Sequence, residues 1–163
     1  MAIAELVDNA IQAEATTIEI VVEEEREEQY PISISITDNG HGMGSATLAK
    51  SLAFGGSSRF GDRSSLGRFG MGLPNASLSQ AKRVDVFTWR EGTTLHCYLD
   101  LDELAQQENQ DLPPVRNVEG PQETQQHGCG TRVGLSRCDR LEFKRASTIS
   151  SKLKADLGRT FRH

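Results

Sequence analysis

Three short stretches hold the side chains best suited to chemistry. In AELVDNA (Ala4–Ala10), Glu5, Asp8 and Asn9 stand close together. Written as a helix, the segment places Ile3, Leu6, Val7, Ala10 and Ile11 on one face at the spacing of a core stripe, with Glu5, Asp8, Asn9 and Gln12 opposite. Residues four apart are neighbours on a helix surface, so Glu5 and Asn9 project a carboxylate and a carboxamide toward one point. Taken alone, the polar stripe reads as a solvated face.

The second stretch is DNGHGM, beginning at Asp38 after a strand that should end inside the protein. A carboxylate at a buried strand end is costly unless it accepts hydrogen bonds. An adenine exocyclic amine is one suitable donor; an Asx-turn, in which Asp38 caps its own loop, is the alternative. The third stretch is GRFGMG (Gly67, Arg68, Phe69, Gly70, Met71, Gly72). It is not a P-loop, because no Lys-Ser/Thr follows the last glycine, and it fails the dinucleotide fingerprint because a polar loop precedes it. Its amides open a helix, the usual setting for an oxyanion or phosphate, and Gly70 and Gly72 allow the main chain a close approach.

His96, Cys97, His127, Cys129 and Cys138 match no paired metal-ligand spacing, and adjacent residues in a strand face opposite ways. His41 reads as an exposed turn residue, and Phe87 and Trp89 as sheet packing.

The elements that must position these residues follow from periodicity. TIEIVVE (Thr17–Glu23) and PISISIT (Pro31–Thr37) alternate and should pair as an antiparallel hairpin, with the like-charge run EEEREE at its exposed tip. A short helix, SATLAKSLAF, follows the second stretch, and a Gly/Ser/Arg-rich loop runs from Gly55 to Gly67. The third stretch enters another helix, with Pro74 tolerable only in its first turn. KRVDVFTWR and TTLHCYLD form a second hairpin about Glu91-Gly92. The proline-containing stretch from Gln106 to Gly128 reads as a surface excursion, TRVGLS (Thr131–Ser136) as a fifth strand, and Ser147–Arg162 as a closing helix. Helices segregated from such a sheet predict an α+β fold, a two-layer sandwich with a mixed, mostly antiparallel sheet.

The bulk properties fit one domain. The chain has 163 residues, 36% hydrophobic and 25% charged, enough for one core. No apolar run approaches the ~18 residues of a bilayer span, and the start lacks the marks of a signal peptide; a cytoplasmic location is expected, with no membrane partner. Three cysteines without paired spacing argue for reduced thiols. The net charge of −5 is uneven: Arg137 to His163 holds eight Lys or Arg against three Asp or Glu, a local +5. That end reads as a solvated helix face in preference to a nucleic-acid or acidic-partner surface, since no aromatics alternate with the charges.

In combination the motifs become specific. Glu5 and Asn9 in ELVDN, Asp38 in DNGHGM, Gly67 to Gly72 in GRFGMG and Thr131 in GCGTRVGL follow the order and spacing of the Bergerat-fold (GHKL) ATPases, the group of Hsp90, MutL, type II topoisomerases, MORC proteins and histidine kinases. The chain resembles that family over nearly its whole length, and its wording is closer to MORC and MutL-like members than to the histidine kinases. The resemblance implies one ATP-binding domain over residues 1–163, a truncated piece of a larger parent, with helices on one face of the sheet. It implies Asn9 as the Mg²⁺ ligand and Glu5 as the general base that orients water toward the γ-phosphate. Asp38 would read adenine, assisted through water by Thr131, within a loop where Gly40 belongs to the same motif and Gly42 and Met43 lie against the base. Gly67, Arg68, Phe69, Gly70, Met71 and Gly72 would bind the nucleotide, the amides around Gly70 to Gly72 holding phosphate, and Gly55 to Arg68 would form a lid. It further implies Mg²⁺-dependent hydrolysis with lid closure coupled to homodimerisation or partner binding; a non-hydrolysing ATP switch and a histidine kinase catalytic domain are the alternatives. Gln12 stands where the DNA mismatch-repair and Hsp90 relatives usually have an aspartate. Without a preceding segment or a following transducer lysine, the chain is expected to bind ATP better than it cleaves it.

Overall fold

The computed structural model describes residues 2–25, 28–53, 72–106 and 113–161. The chain opens with α1 (Ala2–Gln12), then β1 (Ile18–Glu24) and β2 (Ile32–Asp38). Helices α2 (Ser45–Leu52) and α3 (Gly72–Leu78) precede the hairpin β3 (Arg83–Arg90) and β4 (Thr93–Asp100). Next come α4 (Leu101–Gln106), β5 (Arg116–Asn117), a 3₁₀ turn (Gln122–Gln125), β6 (Gly130–Ser136) and α5 (Ala146–Thr160).

All the strand pairings described are antiparallel, in the order β1-β2-β6-β3-β4-β5. The β1–β2 hairpin pairs Ile20 with Ile36 and Val22 with Ile34, which puts their branched side chains on one face. Glu91 and Gly92 both take positive φ, 52° and 75°, and turn β3 into β4 as a tight two-residue hairpin loop.

One sheet face is the core. Ile34, Leu135, Val84 and Leu99 form a row across four neighbouring strands, and Ile36, Val133, Val86 and Cys97 form the next. Each of the five helices among the described residues contributes buried side chains to the same cluster: Ile3 and Leu6, Leu48 and Leu52, Ala76 and Leu78, Leu104, and Ile149. The result is the two-layer α+β sandwich expected. The opposite face stays polar, with Asp85 bonded to Arg83 and His96, and Arg132 paired with Glu123.

Several expectations need correction. Ile11, placed in the core stripe of α1, is 49% exposed. It lies one residue past Ala10, about 100° further round the helix, and so rotates to the flank of the stripe. The Gln106–Gly128 excursion contains a sixth strand, since Arg116 and Asn117 pair with His96 and Leu95. It also holds a 3₁₀ turn, and α4 precedes it; neither carries a periodic signal at its length. The closing helix runs Ala146–Thr160, shifted by one residue at its start. Among the described residues, no helix is long and apolar enough to cross a membrane.

The cysteines are unpaired thiols. Burial pushes Cys138 up to about 12, with the Asp139 charge adding to it, which leaves it an inert core group. Cys97 faces the core while His96 bonds Asp85 on the other face, so the two do not share a site.

Candidate functional site

The third row of the inner sheet face breaks the apolar pattern. In register with the Ile36 and Ile34 rows stand Asp38, Thr131 and Thr88, on β2, β6 and β3 respectively. All three are buried, at 8%, 8% and 0% exposure. The row lies at one end of the sheet, where α1 crosses β2 and the chain leaves β2 for the Asn39–Gly44 loop. A cleft of about 550 Å³ opens there, and its lining includes Glu5, Asn9, Asp38, Gly42, Met43 and Thr131. Six of the expected site residues, from three separate segments, therefore share one cavity.

The loop geometry explains the choice of residues. Asp38 Oδ1 accepts the N–H of Gly40 at 2.8 Å, the Asx-type turn anticipated as an alternative to ligand binding. Burial raises the Asp38 pKa, only partly offset by N–H groups of Gly40 and Thr131 and by the charge of His41. Capping its own loop thus leaves the carboxylate under-solvated and facing the cleft. Asn39 ties this loop to the α1–β1 turn: its Oδ1 accepts from Thr16 N and Thr17 N at 2.9 Å each, and its Nδ2 donates to Thr16 Oγ1. His41 N–H donates to Ala13 O at 3.0 Å across the same seam.

Gly42 must be glycine. Its φ is +66°, and a Cβ would stand 2.6 Å from the carbonyl of Trp89. Trp89 is itself fixed by donating Nε1–H to His127 O at 2.9 Å. Met43 N–H donates to Thr88 Oγ1 at 2.8 Å, which docks the loop onto β3.

On the helix side, Glu5 and Asn9 reach the cleft from successive turns of α1. Neither side chain has a hydrogen bond or ion pair among the described residues. A carboxamide oxygen and a carboxylate one turn apart, without partners among the described residues, are groups that could hold a hydrated divalent cation such as magnesium and polarise a water. Gln12 also lines the cleft.

Gly40 sits behind the cleft, where a Cβ would stand 2.6 Å from Ala13 O. Gly72 is the first residue of α3, and Leu73 beside it joins the cleft wall. Gly67, Arg68, Phe69, Gly70 and Met71, and the lid expected from Gly55 to Arg68, lie outside the described residues.

Sequence reasoning missed Thr88 and Asn39. Thr88 carried a legible signal: it is in phase with the inward residues Val84 and Val86 of β3, so a hydroxyl was due to be buried there. Asn39 carried none, because its partners Thr16 and Thr17 are 22–23 residues away. A second cleft of about 450 Å³ lies on the polar sheet face near Asp85 and Arg132. Ion pairs within the chain already satisfy those charges.

Residues 1–131 match the model of a family described as histidine kinase-, DNA gyrase B-, and HSP90-like ATPase. Among curated proteins, the chain is similar to ATPase MORC2B of Mus musculus, with 37% identity over 93 residues, 56% of this chain and 9% of that protein. It is also similar to ATPase MORC2 of Homo sapiens, with 34% identity over 99 residues, 60% of this chain and 10% of that one. The chain therefore spans about a tenth of the length of these relatives. Among solved structures it resembles the 43K ATPase domain of Thermus thermophilus gyrase B, solved in complex with an aminocoumarin. The TM-score is 0.51 at 20% identity, over 94% of this chain and 38% of that one; the likeness is one of fold.

Proposed function

Because the chain belongs to the histidine kinase-, DNA gyrase B- and HSP90-like ATPase family, we propose that its cleft binds ATP with magnesium and that Glu5 promotes hydrolysis. The observation that carries this reading is the convergence of Asp38, Thr131, Asn9 and Glu5 on one cavity. Asp38 accepts a hydrogen bond from the adenine exocyclic amine, Thr131 supports it through water, and Gly42 and Met43 lie against the ring. The Gly40 turn keeps the carboxylate aimed. The amide oxygen of Asn9 holds magnesium, and the amides of Gly67, Arg68, Phe69, Gly70, Met71 and Gly72 receive the phosphates. Magnesium held there would neutralise charge on the phosphate oxygens.

Glu5 holds a water by its proton and orients the oxygen toward the γ-phosphorus. As the new P–O bond forms, the bond from phosphorus to the bridging oxygen breaks. The water proton passes to Glu5, and ADP and inorganic phosphate leave. Lid closure by Gly55 to Arg68 and pairing of two copies of a longer protein complete the cycle we propose.

Phosphate release and nucleotide calorimetry on the wild type, Glu5→Ala and Asp38→Ala test the reading. Glu5→Ala should abolish turnover while keeping the nucleotide Kd within a few-fold. Asp38→Ala should raise that Kd about ten- to a hundredfold, the worth of hydrogen bonds to a charged group. An unchanged Kd in Asp38→Ala overturns the site assignment. Equal, near-zero rates in wild type and Glu5→Ala would instead make the domain an ATP-binding switch.

A further inference from the structure

Thr88 is fully buried at the β3 end of the polar row, next to Thr131. Its hydroxyl has one proton and two lone pairs, and three partners compete for them. Met43 N–H donates to it at 2.8 Å, the Gly130 carbonyl lies at 3.1 Å, and Thr131 Oγ1 lies at 3.2 Å. A carbonyl can only accept, so the single Thr88 proton goes to Gly130. Met43 fills one lone pair, and the other is left for Thr131, whose hydroxyl must then be the donor. The reverse arrangement, with Thr88 donating to Thr131, would set the Thr88 and Gly130 oxygens lone pair to lone pair inside the core, a costly contact.

Resting on the reading of the cleft as an adenine-nucleotide site, we infer that Thr88 is a positioning residue that sets base selectivity. By drawing the Thr131 proton away from the cleft, it leaves Thr131 presenting lone pairs beside the Asp38 carboxylate. The end of the cleft that meets the base edge is then acceptor-only. An exocyclic amine, or a water bonded to one, satisfies both groups; a carbonyl at the same ring position meets two acceptors and is rejected. Adenine carries the amine there and guanine the carbonyl. Thr88 touches no ligand; it bears on selectivity through Thr131, while its bond to Met43 N–H holds the loop and bears on both nucleotides alike.

Calorimetric Kd values for ADP and GDP test this on the full chain, for the wild type, Thr88→Val, Thr88→Ser, Thr131→Ala and the Thr88→Val/Thr131→Ala double variant. The wild type should prefer ADP. Thr88→Val, similar in shape but without the hydroxyl, should narrow the ADP-over-GDP ratio about tenfold, and Thr88→Ser should restore it. The double variant should be no less selective than Thr131→Ala, because the two residues act as one unit. A loosened strand weakens both nucleotides together and leaves the ratio alone, so the ratio separates positioning from packing. If Thr88→Val does not fold, Thr88→Cys, whose thiol is a weak donor, should narrow the ratio in the same direction. An unchanged ratio in the hydroxyl-free variant, or a loss that adds to that of Thr131→Ala, overturns the inference. A wild type that binds neither nucleotide, or both equally, overturns the adenine-site reading itself.

Discussion

Asp38 places an ionisable group where burial opposes its charge. Burial is the largest influence on it and raises its pKa, with the Gly40 and Thr131 amides and His41 only partly offsetting that. A carboxyl whose folded pKa lies above its unfolded value adds stability below the unfolded pKa and loses it as pH rises through the folded one. The ligand-free fold therefore loses stability as this carboxyl ionises and takes on its charge. Asp38→Asn keeps an oxygen that accepts from Gly40 N–H and removes that charge. The expected outcome is a higher Tm for the ligand-free variant together with an ADP Kd about tenfold weaker or more. Scanning calorimetry and a nucleotide titration on one sample check both; a lower Tm would show that the carboxylate is structurally required.

At the scale of elements, the seam between α1 and the β2 exit loop decides whether the two halves of the cleft stay in register. Asn39 makes three hydrogen bonds across it, two accepted from backbone N–H groups and one donated to Thr16 Oγ1. Asn39→Ala should cost about 1–3 kcal/mol in urea unfolding and speed amide hydrogen exchange at Thr16 and Thr17. Nucleotide affinity should fall with it, because Glu5 and Asn9 on α1 are then no longer held against Asp38. Gly42 is a second such control. With φ at +66° and the Trp89 carbonyl 2.6 Å from a would-be Cβ, Gly42→Ala should destabilise by about 1–3 kcal/mol. Urea midpoints give both values.

For the molecule as a whole, the polar sheet face carries much of the acid sensitivity. Burial alone pushes Asp85 up, but hydrogen bonds from His96 Nε2 and the Arg83 guanidinium outweigh it and hold the carboxyl at about 2. A depressed carboxyl contributes stability that is present above its unfolded pKa, about 4, and is lost as pH falls toward about 2. Asp85→Asn should therefore lose about 2 kcal/mol at neutral pH and show a flatter decline below pH 4 in urea unfolding. Asp85 lies on the face opposite the cleft core, so nucleotide Kd should stay unchanged.

Much of the fold was legible because it is local. Alternation marked β1 to β4 and β6, and the Glu91-Gly92 turn marked the second hairpin, since side-chain period and turn geometry depend only on neighbouring residues. The candidate site was legible as types and spacing: Glu5 and Asn9 one helical turn apart, Asp38 at a strand end, and Thr131 after its glycines. Their meeting was decided by tertiary structure. Strand β6 inserts between the two hairpins and sets Thr131 beside Asp38 on one side and Thr88 on the other, a choice of neighbours that no local pattern encodes. The same holds for the two-residue strand β5, for Ile11 turning out to solvent and for Asn39 reaching Thr16 and Thr17. Sequence determined which groups were available and which way each faced within its own element; only packing of elements distant along the chain determined which proton, lone pair or open surface each of them met.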